Sequence, residues 1–230
     1  MLFDFAHVPF SRRGRFLTLS TMEGQVWLRS VKGGDLRPSL GRLCRMSLRC
    51  RDGSGTEARH MLAPGKLTLT TADGMVEFCI GEGDRLHLRG HGVGLAFELL
   101  GSRYDYAYQT PQGDHCLVAA YENTRLLPRV TKGDLRVTGD WRRDRADNVA
   151  MVFSGTDGFE GTIDLFTAIP PAAADQTFDD AHENAASDFA GWQARTPRAG
   201  QDEARSLAAY LLWANTVPPA GLLTRPAIYM

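Results

Sequence analysis

Arg85-Leu-His-Leu-Arg-Gly-His-Gly-Val-Gly-Leu-Ala-Phe-Glu-Leu99 decides the fold class. Arg85, His87 and Arg89 alternate with Leu86 and Leu88, and Val93, Leu95, Phe97 and Leu99 then share one face. A period of two is that of a half-buried strand, with one face on a core and the other in water. Gly90-His91-Gly92-Val93-Gly94 between the two runs reads as a bent turn. It lacks the Lys-Ser/Thr of a phosphate loop, and no helix follows it.

The same alternation extends outward in both directions. Arg45, Ser47 and Arg49 alternate with Cys44, Met46, Leu48 and Cys50, which puts both cysteines on the apolar face. Leu67/Leu69, Leu135/Val137, Val149/Met151/Phe153 and Phe159/Ile163/Leu165 repeat it. Gly34-Asp35, Gly83-Asp84 and Gly133-Asp134 read as hairpins, and Asp73-Gly74 as a hairpin with positive φ at both central residues. One-sided alternation implies antiparallel sheets with one solvated face, and two such sheets bury their apolar faces together. Residues 1–168 are thus expected to form a mainly β, antiparallel two-sheet sandwich of about a dozen strands.

The period changes after Pro170-Pro171-Ala172-Ala173-Ala174. Phe178, Ala181, Ala185, Phe189 and Trp192 form one stripe of an amphipathic helix. Thr177 and Asp180 supply a capping box, and Pro197 a stop. A second helix is predicted from about Gln201 to Asn215, ending before Pro218-Pro219. Its run Leu207 to Ala214 is apolar around the whole circumference, which predicts burial on every side. Residues 169–230 are read as a helical linker arm. Its apolar tail needs cover, from outside the chain or by folding back onto the sandwich.

The chain has 230 residues, with 26 basic against 27 acidic side chains and a net charge of −1. That balance speaks against a nucleic-acid-binding role, which needs a basic excess. A composition 43% hydrophobic and 23% charged is that of a globular protein. No apolar stretch is long enough to span a membrane, and the first residues do not read as a secretory signal. Cys44, Cys50, Cys79 and Cys116 are too sparse for a disulfide scaffold, so reduced thiols in a cytoplasmic protein are expected.

Few residues suggest chemistry. His87 and His91 flank a strand end, and His115 and Cys116 point to opposite faces, so neither a metal site nor a cofactor is expected. Tyr104, Tyr106 and Tyr108 fall on one face of a predicted strand. Such a ladder offers sugar rings an apolar surface with hydroxyls beside it, although packing at a sheet contact explains it more simply. A glycosidase needs two carboxylates about 5–10 Å apart. Glu98, Asp105, Glu122, Asp140, Asp157, Glu160 and Asp164 show no such pairing.

Ala209-Tyr210-Leu211-Leu212-Trp213, followed by Pro219-Ala-Gly-Leu-Leu-Thr-Arg-Pro-Ala-Ile-Tyr-Met230, resembles a stretch of bacterial family-63 and trehalase-like glycoside hydrolases. In that family an N-terminal β-supersandwich and linker helices precede an (α/α)6-barrel catalytic domain. The stripe from Phe178 to Trp192 is similar to the family's first linker helix. The resemblance implies a non-catalytic sandwich of an α-glucosidase-like enzyme of carbohydrate metabolism. It ends where the barrel would start, as in a truncated reading frame or half of a split enzyme. Both catalytic carboxylates belong to the barrel, so no catalytic residue carries over and the chain alone is expected to be inactive. The expected partners are that barrel and an oligosaccharide, with no nucleic acid and no membrane. Candidate substrate contacts are Tyr104, Tyr106 and Tyr108, together with Arg225 and Tyr229 near the rim of the cleft. The alternative is a stand-alone carbohydrate-binding or structural β-sandwich module. A third reading, mutarotase-like chemistry within the sandwich, would need a His/Glu pair in one cleft.

Overall fold

The structure is a computed structural model that describes residues 2–31, 41–50, 52–100, 102–172, 175–196, 202–219 and 224–228. In chain order the strands are β1 (Phe10–Ser11), β2 (Leu17–Met22), β3 (Gln25–Ser30), β4 (Arg42–Arg49), β5 (Gly55–Thr56), β6 (Arg59–Ala63), β7 (Lys66–Thr70) and β8 (Met75–Ile80). Next come β9 (Arg85–His91), β10 (Gly94–Leu99), β11 (Tyr106–Gln109), β12 (His115–Ala119), β13 (Thr124–Lys132), β14 (Asp134–Thr138), β15 (Ala150–Ser154) and β16 (Phe159–Phe166). Helices α1 (Phe178–Arg195) and α2 (Asp202–Ala214) follow, then the short strands β17 (Thr216–Val217) and β18 (Ala227–Ile228).

The expected antiparallel two-sheet sandwich is what forms. The first sheet runs β1-β2-β3-β4-β10-β15-β14, with β5 also on β4, and the second runs β11-β12-β13-β16-β9-β8-β7-β6. Alternation fixes which face each strand buries: Leu95 and Phe97 of β10 are fully buried, as are Leu86 and Leu88 of β9. They meet Leu19, Leu28, Phe78, Leu117, Leu126, Phe153 and Ile163 in one core.

Several turns differ from their sequence reading. β9 and β10 lie in different sheets, so Gly92-Val93 carries the chain from one layer to the other and closes no hairpin. Gly133 does the same between β13 and β14, while Gly83-Asp84 does join the paired strands β8 and β9. Gly34-Asp35 lies outside the described residues. Asp73-Gly74 closes the β7–β8 hairpin without positive φ. Thr71 Oγ1 instead accepts hydrogen bonds from the Asp73 and Gly74 amides at 3.2 and 3.1 Å. Gly74 is required for a different reason, since a Cβ there would lie 2.0 Å from the His91 carbonyl oxygen. Cys44 is in the core as expected, but β4 ends at Arg49 and Cys50 turns out beside Asp73.

Helix α1 begins with the predicted capping box: Thr177 Oγ1 accepts from the Asp180 amide, and the Asp180 carboxylate accepts from the Thr177 amide. It packs on the outer face of the second sheet, over β8 and β9, and buries Phe178, Ala181, Ala185 and Phe189. The Pro197 stop lies outside the described residues. Helix α2 is not buried all round. Tyr210 and Trp213 are fully buried with Phe189 and continue the sandwich core, whereas Leu207 and Leu212 are 38% and 40% exposed. One flank reaches the sheets, and there Tyr210 donates its hydroxyl to the Pro9 carbonyl at 3.0 Å. The described part of the tail folds back, because β18 pairs antiparallel with β17.

Candidate functional site

The tyrosine ladder is only partly assembled. Asp105 is buried, and its carboxylate accepts hydrogen bonds from the Ser102 and Ala120 amides, both at 2.9 Å. That clamp turns the chain before β11 begins. Tyr104 therefore sits in the turn, half-exposed, with the Arg103 guanidinium 4.7 Å over its ring. Tyr106 and Tyr108 do share the outer face of β11, with ring centroids 6.0 Å apart. Trp141, which the sequence reading missed, packs edge-on to Tyr106 at 5.8 Å. It arrives there because the Ala107 amide donates to the Gly139 carbonyl, drawing residues 139–141 alongside β11. No local pattern marks such a long-range pairing. The rings of Tyr106 and Trp141 stand at 80° to one another, so the patch is angular and not a flat platform.

The C-terminal candidates lie near a cleft of about 590 Å³ between the Arg12–Arg15 loop, α1 and the β17–β18 hairpin. Pro226, Ala227 and Ile228 line it; Arg225 is exposed next to them, and Tyr229 lies outside the described residues. Its one carboxylate, Asp188, forms a two-point ion pair with Arg13 and accepts the Trp213 indole N–H at 2.7 Å. Burial pushes the Asp188 pKa up, but the hydrogen bonds from Arg13 and Trp213 outweigh it and hold it below the usual range. Arg12 donates to the Ile80 carbonyl at 3.1 Å and Arg15 to the Gly81 carbonyl at 3.0 Å. The cleft can receive an apolar group against Trp192 and the prolines, and Asp188 is its carboxylate among the described residues.

A second recess, of about 430 Å³, is lined by Glu77, Arg89, His91, Lys132, Asp157 and Glu160. It brings histidine and carboxylates together, which their spacing did not reveal. Glu77 is spoken for, with Lys66 at 2.7 Å and Arg89 at 2.8 Å. Burial raises its pKa, yet those two cations win and the net shift is downward. His87, on the same strand as His91, is buried beside the Gln176 side chain. Among the described residues no group of three or more His, Cys, Asp or Glu side chains could hold a metal ion.

His87 gives the fold a pH dependence. Burial, and secondarily the charge of Arg85, lowers its pKa from 6.5 to about 4, with the Gln176 side chain opposing weakly. Between those values the unfolded chain holds a proton that the folded chain does not. Stability therefore falls as pH drops through this window, and the loss is complete below about 4. The difference is worth about 3 kcal/mol. Urea unfolding at pH 7 and pH 4 should show wild type losing about that much more than His87→Leu.

The sequence matches no known protein family and no curated protein. The fold is similar to part of a family GH92 alpha-mannosidase from Bacteroides thetaiotaomicron, with a TM-score of 0.65 at 10% identity. The likeness covers 94% of this chain and 40% of that chain. This chain therefore spans well under half the length of the protein it matches. The fold is that of a β-sandwich region found in a glycosidase. Because the similar structure is a family GH92 protein, the likeness does not extend to family 63 in particular. No described helix is long and apolar enough to cross a membrane.

Proposed function

We propose that this chain is a non-catalytic β-sandwich of a glycoside hydrolase, one that packs against a separate catalytic domain. The observation that carries the reading is the fold likeness over 94% of the chain to two-fifths of an alpha-mannosidase. A sandwich that makes up a minor part of a glycosidase has more enzyme to adjoin. The surface best suited to that contact is the exposed side of α2, which carries Leu207 and Leu212. Apolar side chains grouped in this way favour a covered interface.

On the finer scale, the C-terminal resemblance favours a family-63 or trehalase-like, α-glucosidase-like enzyme of cytoplasmic carbohydrate metabolism. The adjoining domain would then be an (α/α)6 barrel, with residues 1–168 as the sandwich and 169–230 as the arm. A second reading, a carbohydrate-binding module, draws on the exposed Tyr108 and Trp141 beside Tyr106. Assay of the purified chain against aryl α-glucosides and α-mannosides tests the first reading, with no turnover expected.

A further inference from the structure

The outer face of the first sheet carries an unexpected concentration of arginine. Arg29, Arg42, Arg45, Arg49 and Arg136 all lie on it, beside Glu98 and Asp134, and Glu23 reaches Arg42 at 3.6 Å. Glu98 is bracketed by two of them, Arg45 at 2.6 Å and Arg49 at 2.7 Å. Arg42 lies 5.0 Å over the Trp27 ring. Arg136 is exposed and makes no ion pair or hydrogen bond among the described residues.

A recess of about 610 Å³ opens in this face between Arg49 on one wall and Arg136 on the other. Cross-strand pairing explains its shape. Arg49 faces Gly94, Ser47 faces Ala96, Ala96 faces Val152, and Val152 faces Arg136. Two arginines thus flank a floor of small side chains, with Ser154, Thr156 and Asp134 at its margin. The Arg49 guanidinium donates to Glu98 and, at 3.4 Å, to the Gly53 carbonyl, but its Nε is shielded from solvent and has no hydrogen-bond partner among the described residues. Buried donors of this kind are costly unless something accepts from them.

Gly94 separates this recess from an accident of packing. At two other strand positions packing requires glycine. A Cβ at Gly90 would lie 2.6 Å from the Phe159 ring, and one at Gly161 would lie 2.2 Å from the Arg129 carbonyl oxygen. At Gly94 the backbone has no positive φ, and a Cβ would make only ordinary contacts at 3.5 and 3.7 Å. The fold therefore does not demand glycine there. A strand glycine with no internal reason marks a place where something approaches the sheet closely.

We propose that this recess binds an anionic sugar unit: a hydroxyl-rich ring carrying a carboxylate or sulfate. Arg49 and Arg136 meet the anionic group, Ser154, Thr156 and Asp134 meet ring hydroxyls, and the low floor at Gly94 and Val152 admits the ring. The volume is in the range of small-ligand sites. A concave recess with excess donors suits a compact polyhydroxylated anion better than the face of an acidic protein, which needs about 800 Å² of contact on each side. The site goes beyond the accessory reading and stands or falls without any catalytic partner.

Calorimetric titration of the chain tests it with four probes: trigalacturonate, galactose 6-sulfate, neutral maltotriose and polyglutamate. At least one anionic sugar is expected to bind, with the first two probes distinguishing carboxylate from sulfate. Maltotriose should bind about ten-fold more weakly or not at all, as expected when a charge-assisted contact is lost. Gly94→Leu, which fills the recess without disturbing the sheet, and Arg136→Gln should each weaken binding about ten-fold at an unchanged unfolding midpoint. Rising ionic strength should weaken it further. Failure of both anionic sugars to bind at millimolar concentration overturns the proposal. So does maltotriose binding equally well, polyglutamate competing for the same site, or affinity unaffected by Gly94→Leu.

Discussion

Replacing Asp164 with asparagine is expected to destabilise the chain by about 3–5 kcal/mol. Asp164 is 1% exposed and lies between two guanidiniums on the outer face of the second sheet. Arg85 reaches it through two hydrogen bonds, at 2.6 and 3.1 Å, and Arg129 through one at 2.9 Å. Arg85 is itself 5% exposed, with the Ala172 carbonyl as its further acceptor at 3.1 Å. An amide in place of the carboxylate leaves the Arg85 charge in a dry site without its counter-ion. The pair need not be favourable overall, since removing both charges also removes both desolvation costs. Arg85→Met with Asp164→Leu should therefore unfold much closer to wild type than Asp164→Asn does. Urea unfolding at pH 7 checks both. A cost below about 1 kcal/mol for the single variant would mean that the pair behaves as a solvated surface contact.

Trp213→Ala is the second large effect, at about 3–5 kcal/mol. Trp213 is fully buried, with the Phe189 ring at 5.4 Å and the Tyr210 ring at 6.0 Å. Truncation opens a cavity among aromatic rings and also takes the indole N–H away from Asp188. Trp213→Phe retains most of the volume and should cost less than Trp213→Ala. The core runs without interruption from the sheets into α2. The strand signal in circular dichroism should therefore lose its midpoint together with the helical signal. Loss of the helical signal alone would mean that α1 and α2 pack as an appendage.

Sheet strands were legible because one face of each strand is buried and the other is wet. The run from Arg85 to Leu99 carries that alternation through both sheets. What alternation does not encode is which layer a strand enters. Gly92 and Gly133 look like hairpin glycines but serve sheet-to-sheet crossings, a choice made by the packing of distant strands. Tyr104 left the ladder for a similar reason, because the buried Asp105 takes its partner from Ala120. The apolar run in α2 was visible, but which flank meets the sandwich depends on Phe189 and Pro9, far away in sequence. Trp141 and the Arg49–Arg136 recess are likewise products of long-range pairing. Their residues lie 87 positions apart in the second case and share no motif.

The proposed role is that of an accessory sandwich that does not itself cleave. Its most direct test is release of 4-nitrophenol from the aryl α-glucoside and α-mannoside by the purified chain, from pH 4.5 to 8. The predicted result is a rate equal to that without protein at every pH, with Glu77→Gln and Glu160→Gln giving the same trace. Turnover that follows the chain through repurification and disappears in either of those variants would contradict it, and would relocate the chemistry to the recess around His91.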